Sequence, residues 1–174
     1  MRAFVTAAIV LFAASALAQQ VTSETVPGVT NFKKLETTIA CAGATTAQGV
    51  PELKKMGYAS IINLRQASEA GANIEEEEAA AKQAGIRFVH IPMNGQSPDP
   101  AVADKFLDAI TTTANQPAFV HCASGNRAAA MWMVKRLAVD HWDVDRASTE
   151  AAALGLTNAG LKKFAIDYAE THKR

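Results

Sequence analysis

Apolar residues along the chain gather in short compact runs that alternate with longer stretches in which they recur every three or four positions, the periods of strands and helices. Residues 31–35 and 38–42 read as two short strands. A helix over 45–56 follows, with Val50, Leu53 and Met56 on one face, Thr45 or Thr46 as its cap and Gly57 as its stop. Residues 58–64, YASIINL, form an apolar run of strand length, the pattern of a parallel strand covered on both faces. The next helix starts at Asn73 and runs to Gly85. Its run Glu75 to Glu78 lies near the positive end of the dipole, on a face read as solvated, with Glu78 and Lys82 one turn apart. A strand at 87–91, a loop at 94–100 and a helix at 101–112 come next, the helix turning Val102, Phe106, Leu107 and Ile110 inward. The last strand is 118–121. Helices at 128–139, 144–154 and 158–172 complete the chain.

Strands and helices in this alternation predict an α/β domain of three layers, with a largely parallel central sheet flanked by helices and right-handed crossovers. Ligands of such sheets bind beyond the carboxyl ends of the strands. The loop 122–127, between a strand and the start of a helix, stands at that place.

The first residues change the picture of the domain. Arg2 precedes an apolar run ending Ala16-Leu17-Ala18, the order of a secretory signal with a small-x-small cleavage site. The run from Ala3 to Ala18 is shorter than the roughly 20 residues that span a bilayer as a helix. The expected organisation is a signal peptide at 1–18, a polar flexible lead-in at 19–28 and one domain at 29–174, exported to the periplasm or secreted, without a membrane anchor after cleavage. An uncleaved anchor is the alternative.

Charge narrows the partners. The 17 basic and 17 acidic residues balance, so nothing recruits nucleic acid or an anionic membrane. The four histidines lack the paired spacing of a zinc site, and no metal centre is expected. The two cysteines, Cys41 and Cys122, do not make a disulfide scaffold. Cys41 reads as a small core residue; in an oxidising compartment the alternative is a reversible bridge to Cys122.

The segment HCASGNRA, 121–128, carries the candidate chemistry. Backbone N–H groups converging at a helix N-terminus bind an anion, because unpaired donors and the helix dipole both favour negative charge. Gly125 supplies the backbone freedom of a tight loop. The same field favours the thiolate of Cys122, a nucleophile. Arg127 offers a planar fork to two oxygens of an oxyanion. Together Ala123, Ser124, Gly125, Asn126 and Arg127 are expected to form a phosphate-binding loop behind Cys122.

That string resembles the His-Cys-(x)n-Gly-x-x-Arg or Gly-x-Arg loop shared by cysteine-dependent protein phosphatases and rhodanese-type sulfurtransferases. It is most similar to the bacterial phosphatase-like domain of beta-lactamase-hydrolase-like proteins, a branch of the dual-specificity group within the protein tyrosine phosphatase superfamily. The segments CAGATTAQGVPELKKMGYASIINLR and FVHIPMNG are similar to other parts of that domain. The resemblance implies a single-domain phosphatase-like fold in which Cys122 attacks phosphorus to give a phosphocysteine, Arg127 and the loop amides hold the equatorial oxygens, and His121 tunes the thiolate. It implies no cofactor, and a phosphorylated small molecule or protein as substrate. Three features depart from the pattern. Four residues rather than five separate Cys122 from Arg127. Asn94 or Gly95 stands where a loop aspartate is expected, leaving Asp99 as the nearby carboxylate to act as acid. Ala128 replaces the hydroxyl residue that helps the thiolate leave. Slow turnover is the expectation, and two alternatives stay open: sulfur transfer through a Cys122 persulfide, and an oxyanion or phospho-ligand binding module. Arg65, at the end of its strand, either faces the site as a second cation or pairs with Glu69.

Overall fold

The structure, a computed structural model, describes residues 20–36 and 38–172. The segment 1–18, expected as a signal peptide, lies outside these residues. The strands are β1 (Val21–Ser23), β2 (Lys33–Leu35), β3 (Ile39–Ala42), β4 (Ser60–Asn63), β5 (Arg87–His90) and β6 (Ala118–His121). The helices are α1 (Val50–Lys55), α2 (Ile74–Ala84), α3 (Pro100–Thr111), α4 (Asn126–Ala138), α5 (Val144–Ala153) and α6 (Ala159–Thr171).

The sheet order is β1-β2-β3-β6-β4-β5. β3, β6, β4 and β5 run parallel, and β1 and β2 add antiparallel at one edge. The central strand β6 is wholly buried, which explains its continuous apolar Ala118-Phe119-Val120. Its two faces feed separate cores. Phe119, Ile61, Ala40 and Ala42 pack with Val50, Leu53 and Ala81 of α1 and α2. Val120, Ile62, Cys41 and Cys122 pack with Phe106, Met131, Leu161 and other residues of α3 to α6. α4 is buried on nearly all sides, because α5 and α6 cover the face the sheet leaves open. Its Trp132 is 1% exposed and donates its indole N–H to Glu150 at 2.6 Å, and Arg136 pairs with the same carboxylate at 2.7 Å, so this buried charge is matched.

Three details differ from the sequence reading. The expected flexible lead-in at 19–28 carries β1, which pairs with β2, and it buries Val26; three residues of strand are too few to show a period. The helix expected at 45–56 begins as a 3-10 turn, Ala47–Gly49, and neither threonine caps it: Thr45 donates its hydroxyl to Gly43 O and Thr46 to Gly28 O. Asn73 stands at the N-cap of α2 in a left-handed conformation without a side-chain capping bond.

Candidate active site

The loop after β6 is placed by its neighbours before its own chemistry begins. Cys122 N–H donates to Ala42 O at 3.2 Å, Ala44 N–H donates to Ala123 O at 3.0 Å, and Asn31 Nδ2 donates to Ser124 O at 3.3 Å. β3 and its flanks therefore hold one side of the loop. The chain then turns sharply at Gly125, whose φ of 100° is a conformation that side chains disfavour, and enters α4. This turn aims Gly125 N–H at Cys122 Sγ, 3.2 Å away. Asn126 ties the far side: its Oδ1 accepts from Thr157 N at 2.7 Å and Asn158 N at 2.9 Å. Cys122 is 1% exposed, so only a group projecting into the loop can reach its sulfur.

Arg127 lies in the first turn of α4 and reaches back across the sheet. Its Nη1 donates to Glu69 Oε1 at 2.6 Å, to Met93 O at 2.8 Å and to Leu64 O at 3.0 Å, and its Nη2 donates to Glu69 Oε2 at 2.8 Å. Glu69 thus occupies the fork between the two terminal nitrogens. The second fork, Nε with the other hydrogen of Nη2, is the one left to grip an oxyanion. Burial works against the guanidinium charge, but the hydrogen bonds and charges of Glu69 and Cys122 outweigh it and raise the pKa above the ordinary value.

Glu69 is the residue that sequence reasoning missed here. It was legible only as a partner of Arg65; its partner 58 residues away depends on the loop after β4 meeting α4. The Arg127 hydrogen bonds lower its pKa to about 2, against the opposing effect of burial and with help from Gln66 N–H. Of the two readings of Arg65, the structure displays the pair. Arg65 is 4% exposed, contacts Glu69 at 3.4 Å, and donates to Ala70 O and Gly71 O at 2.6 Å each, which folds the 65–71 loop around Glu69. The carboxylate's lowered pKa sets a pH dependence. Its folded value lies below the ordinary 4.5, so the pair's contribution to stability is fully present above about pH 4.5 and is lost as pH falls through 2. Glu69→Gln is therefore expected to lower the melting temperature at pH 7, with the gap to wild type closing between pH 4.5 and 2. A constant gap across that range would contradict the assignment.

Next to Cys122 in the chain, His121 is fully buried and stacked on Phe119 at 5.6 Å, with its Nε2 2.9 Å from Glu77 Oε1. The distance is that of an ion pair, but the angles are not those of a hydrogen bond, and Nδ1 has no partner. Asn63 Nδ2 donates to the other Glu77 oxygen at 2.7 Å. Glu77 is 1% exposed, which corrects the reading of Glu75 to Glu78 as a solvated face. Its place one turn before the buried Ala81 was the available signal, hidden by the uniform run of glutamates.

The 94–100 loop borders Arg127 from above. A Cβ at Gly95 would stand 3.3 Å from Arg127 Cδ, so glycine lets the loop come this close. Asn94 is exposed and turns its Oδ1 onto Gln96 N and Ser97 N, shaping the loop. Asp99 is exposed and caps α3, accepting from Ala101 N at 2.9 Å. Cys41 and Cys122 are both free and buried, and burial, then the charge of Cys122, pushes the Cys41 thiol well above its usual value. Among the described residues, no group of three or more His, Cys, Asp or Glu side chains is arranged to hold a metal.

Comparison with known proteins gives the family and the fold. The family model described as "DSP-PTPase phosphatase fused to NAD+ Kinase" matches residues 13–166. A beta-lactamase hydrolase-like protein of Xylella fastidiosa is 33% identical over 101 residues, covering 57% of this chain but 23% of that protein, so the match spans about a quarter of the relative's length. Among solved structures, the catalytic core of the PP-IP phosphatase SIW14 from S. cerevisiae, in complex with citrate, superposes with a TM-score of 0.66 at 19% identity, covering 82% of this chain and 87% of that one. A cysteine-to-serine variant of P. aeruginosa TpbA in complex with phosphotyrosine superposes with a TM-score of 0.61 at 18% identity, covering 92% and 91%. At these identities the structures establish a shared fold: a single α/β phosphatase-like domain.

Proposed function

Because the chain belongs to the family of DSP-PTPase phosphatases fused to NAD+ kinase, we propose that it hydrolyses a phosphoester through a phosphocysteine on Cys122. The observation that carries this reading is that Gly125 N–H points at Cys122 Sγ while the Arg127 guanidinium, clamped by Glu69, interacts with the same thiol. Sγ attacks phosphorus as the bond to the leaving oxygen breaks, while the loop amides and the free fork of Arg127 take the charge of the equatorial oxygens. Water then attacks phosphorus, the S–P bond breaks, and the thiolate returns with release of phosphate. Ala128 offers no hydroxyl to that departing sulfur, so the second step is the slow one and phosphoenzyme accumulates. Acid quenching during turnover of an aryl phosphate, followed by mass analysis, is expected to find one phosphoryl group on the Cys122 peptide; a resting or quenched enzyme carrying an extra sulfur there would instead establish sulfur transfer. The substrate is a phosphorylated small molecule or protein, in keeping with the phosphotyrosine bound by the TpbA variant. Export by the 1–18 segment, placing this activity in the periplasm or outside the cell, is part of the same proposal.

Asp99 is the proton donor in this scheme. Glu69 is committed to Arg127 with a pKa of about 2, and Glu77 lies behind the sheet with His121. Asparagine caps helices as well as aspartate, so Asp99→Asn keeps the start of α3 and removes only the proton. The expected result is a fall of about 100-fold in kcat/KM, which reports the leaving-group step, for an alkyl phosphate, the low end of general acid catalysis, with little change for an aryl phosphate whose leaving group needs no proton. An equal effect on both esters would remove Asp99 from the role.

A further inference from the structure

Beside the loop lies a cavity of about 310 Å³ that the scheme above leaves unused. Two of the residues lining it, Ser124 and Asn126, belong to the phosphate-binding loop itself; the others include Asn31 and Lys33 from the β2 edge and Thr157 from the turn between α5 and α6. None of its lining residues is acidic. Lys33 has no carboxylate partner among the described residues; its Nζ donates to the hydroxyl of Ser23 at 2.9 Å, a neutral group that orders the ammonium without neutralising it. A positive charge beside a wall of amides and hydroxyls, with no anion to match, is the composition of an anion subsite.

The same contacts fix this cavity relative to the nucleophile. Asn31 donates to Ser124 O, Gly43 bridges Ser124, and the Thr157 hydroxyl donates to Asn126 Oδ1 at 3.2 Å, so the segment before β2, the residue after β3 and the α5–α6 turn are each bonded to the loop. The distance between an anion over Cys122 and one beside Lys33 is thereby set by a rigid frame. Such a frame rewards one substrate that carries both groups, because binding the first places the second at no further translational cost.

We propose that this cavity is a second oxyanion subsite and that the substrate is a small phosphoester bearing a further phosphate, one group reacting at Cys122 and the other held by Lys33. This rests on the phosphatase reading for the reacting group but not for binding. A further phosphate suits the site better than a carboxylate, since its tetrahedral oxygens can meet Lys33 and hydroxyl or amide donors from several walls at once.

The test measures binding apart from turnover. Alkanediol bisphosphates with two to six carbons between the phosphates span the unknown separation, and each is compared by calorimetry with its monophosphate on a Cys122→Ser background, which binds the esters without turning them over, with Lys33 intact and with Lys33→Met. At one chain length the bisphosphate is expected to bind the protein with Lys33 intact at least about tenfold more tightly than the monophosphate. Lys33→Met is expected to abolish that advantage while leaving monophosphate affinity unchanged. An advantage absent at every length, or a loss shared equally by both ligands, overturns the proposal. Lys34→Met serves as a control for general charge, and the same loss in that variant would also overturn it. A bisphosphate whose second group is replaced by a carboxylate tells which oxyanion the cavity takes: equal or tighter binding of the carboxylate overturns the phosphate assignment. Failure of the phosphatase reading looks different: a Lys33-dependent bisphosphate affinity with no release of phosphate from any ester by wild type would retain the subsite and remove the hydrolysis.

Discussion

Cys122→Ser is expected to reduce turnover of an aryl phosphate by a factor on the order of 10⁴ to 10⁶, the scale seen when a covalent nucleophile is removed, while oxyanion binding persists. Serine fits the space of a cysteine that is 1% exposed, and its hydroxyl can accept the Gly125 N–H that now reaches sulfur at 3.2 Å. The loop amides and Arg127 therefore stay in place. What is lost is the anionic nucleophile, since a hydroxyl needs a base to become one. Neither nearby candidate supplies it: His121 turns its Nε2 to Glu77 on the other side of the sheet, and Glu69 is held by Arg127. Calorimetry with sulfate or phosphate should thus find affinity within a few-fold of wild type, and the assay should find no phosphate above background. Unchanged turnover would move the nucleophile elsewhere, and simultaneous loss of sulfate binding would mean that the loop itself had collapsed. The same variant assayed for transfer of sulfur from thiosulfate to cyanide separates the phosphatase from the persulfide alternative, because wild type should show no such transfer.

Much of this site was legible before any fold was known, and the reason is that its parts are contiguous. Cys122, Gly125 and Arg127 fall within one strand-loop-helix unit, where residue type and place determine the chemistry together. Asp99 was legible as the carboxylate of the 94–100 loop, and in the structure it also makes the short-range cap of α3. The supporting residues are the ones that sequence could not place. Glu69 pairs with Arg127 across 58 positions, and nothing near either residue in the chain records it. Glu77 sits among identical neighbours, so composition concealed which carboxylate the helical turn would bury against His121 and Asn63. Val21–Ser23 became a strand because β2 offered an edge, not because of its own period. Lys33 and Lys34 are adjacent on a strand and so project to opposite faces, but only the sheet order decides which of them meets the loop.

Arg127→Lys carries the second large effect, and it tests the support as well as the group. A lysine ammonium keeps the charge but has no fork, so it cannot hold Glu69 through two nitrogens while presenting two further N–H groups to an oxyanion. Kcat/KM for an aryl phosphate should fall by about 10² to 10³, the usual loss when a positioned oxyanion donor is removed. The division of that loss is informative. If Arg127 acts mainly on the charge that develops in the transition state, kcat carries most of the fall and KM moves by only a few-fold. Glu69→Gln should reproduce a smaller part of it, about tenfold, because an amide oxygen still accepts one bond from the guanidinium while the second contact and the charge are lost. Combining the two substitutions should cost no more than Arg127→Lys alone, since Glu69 acts on catalysis only through the arginine it clamps. A double variant with additive losses would mean that Glu69 serves the reaction independently, and the clamp would no longer account for its place in the site.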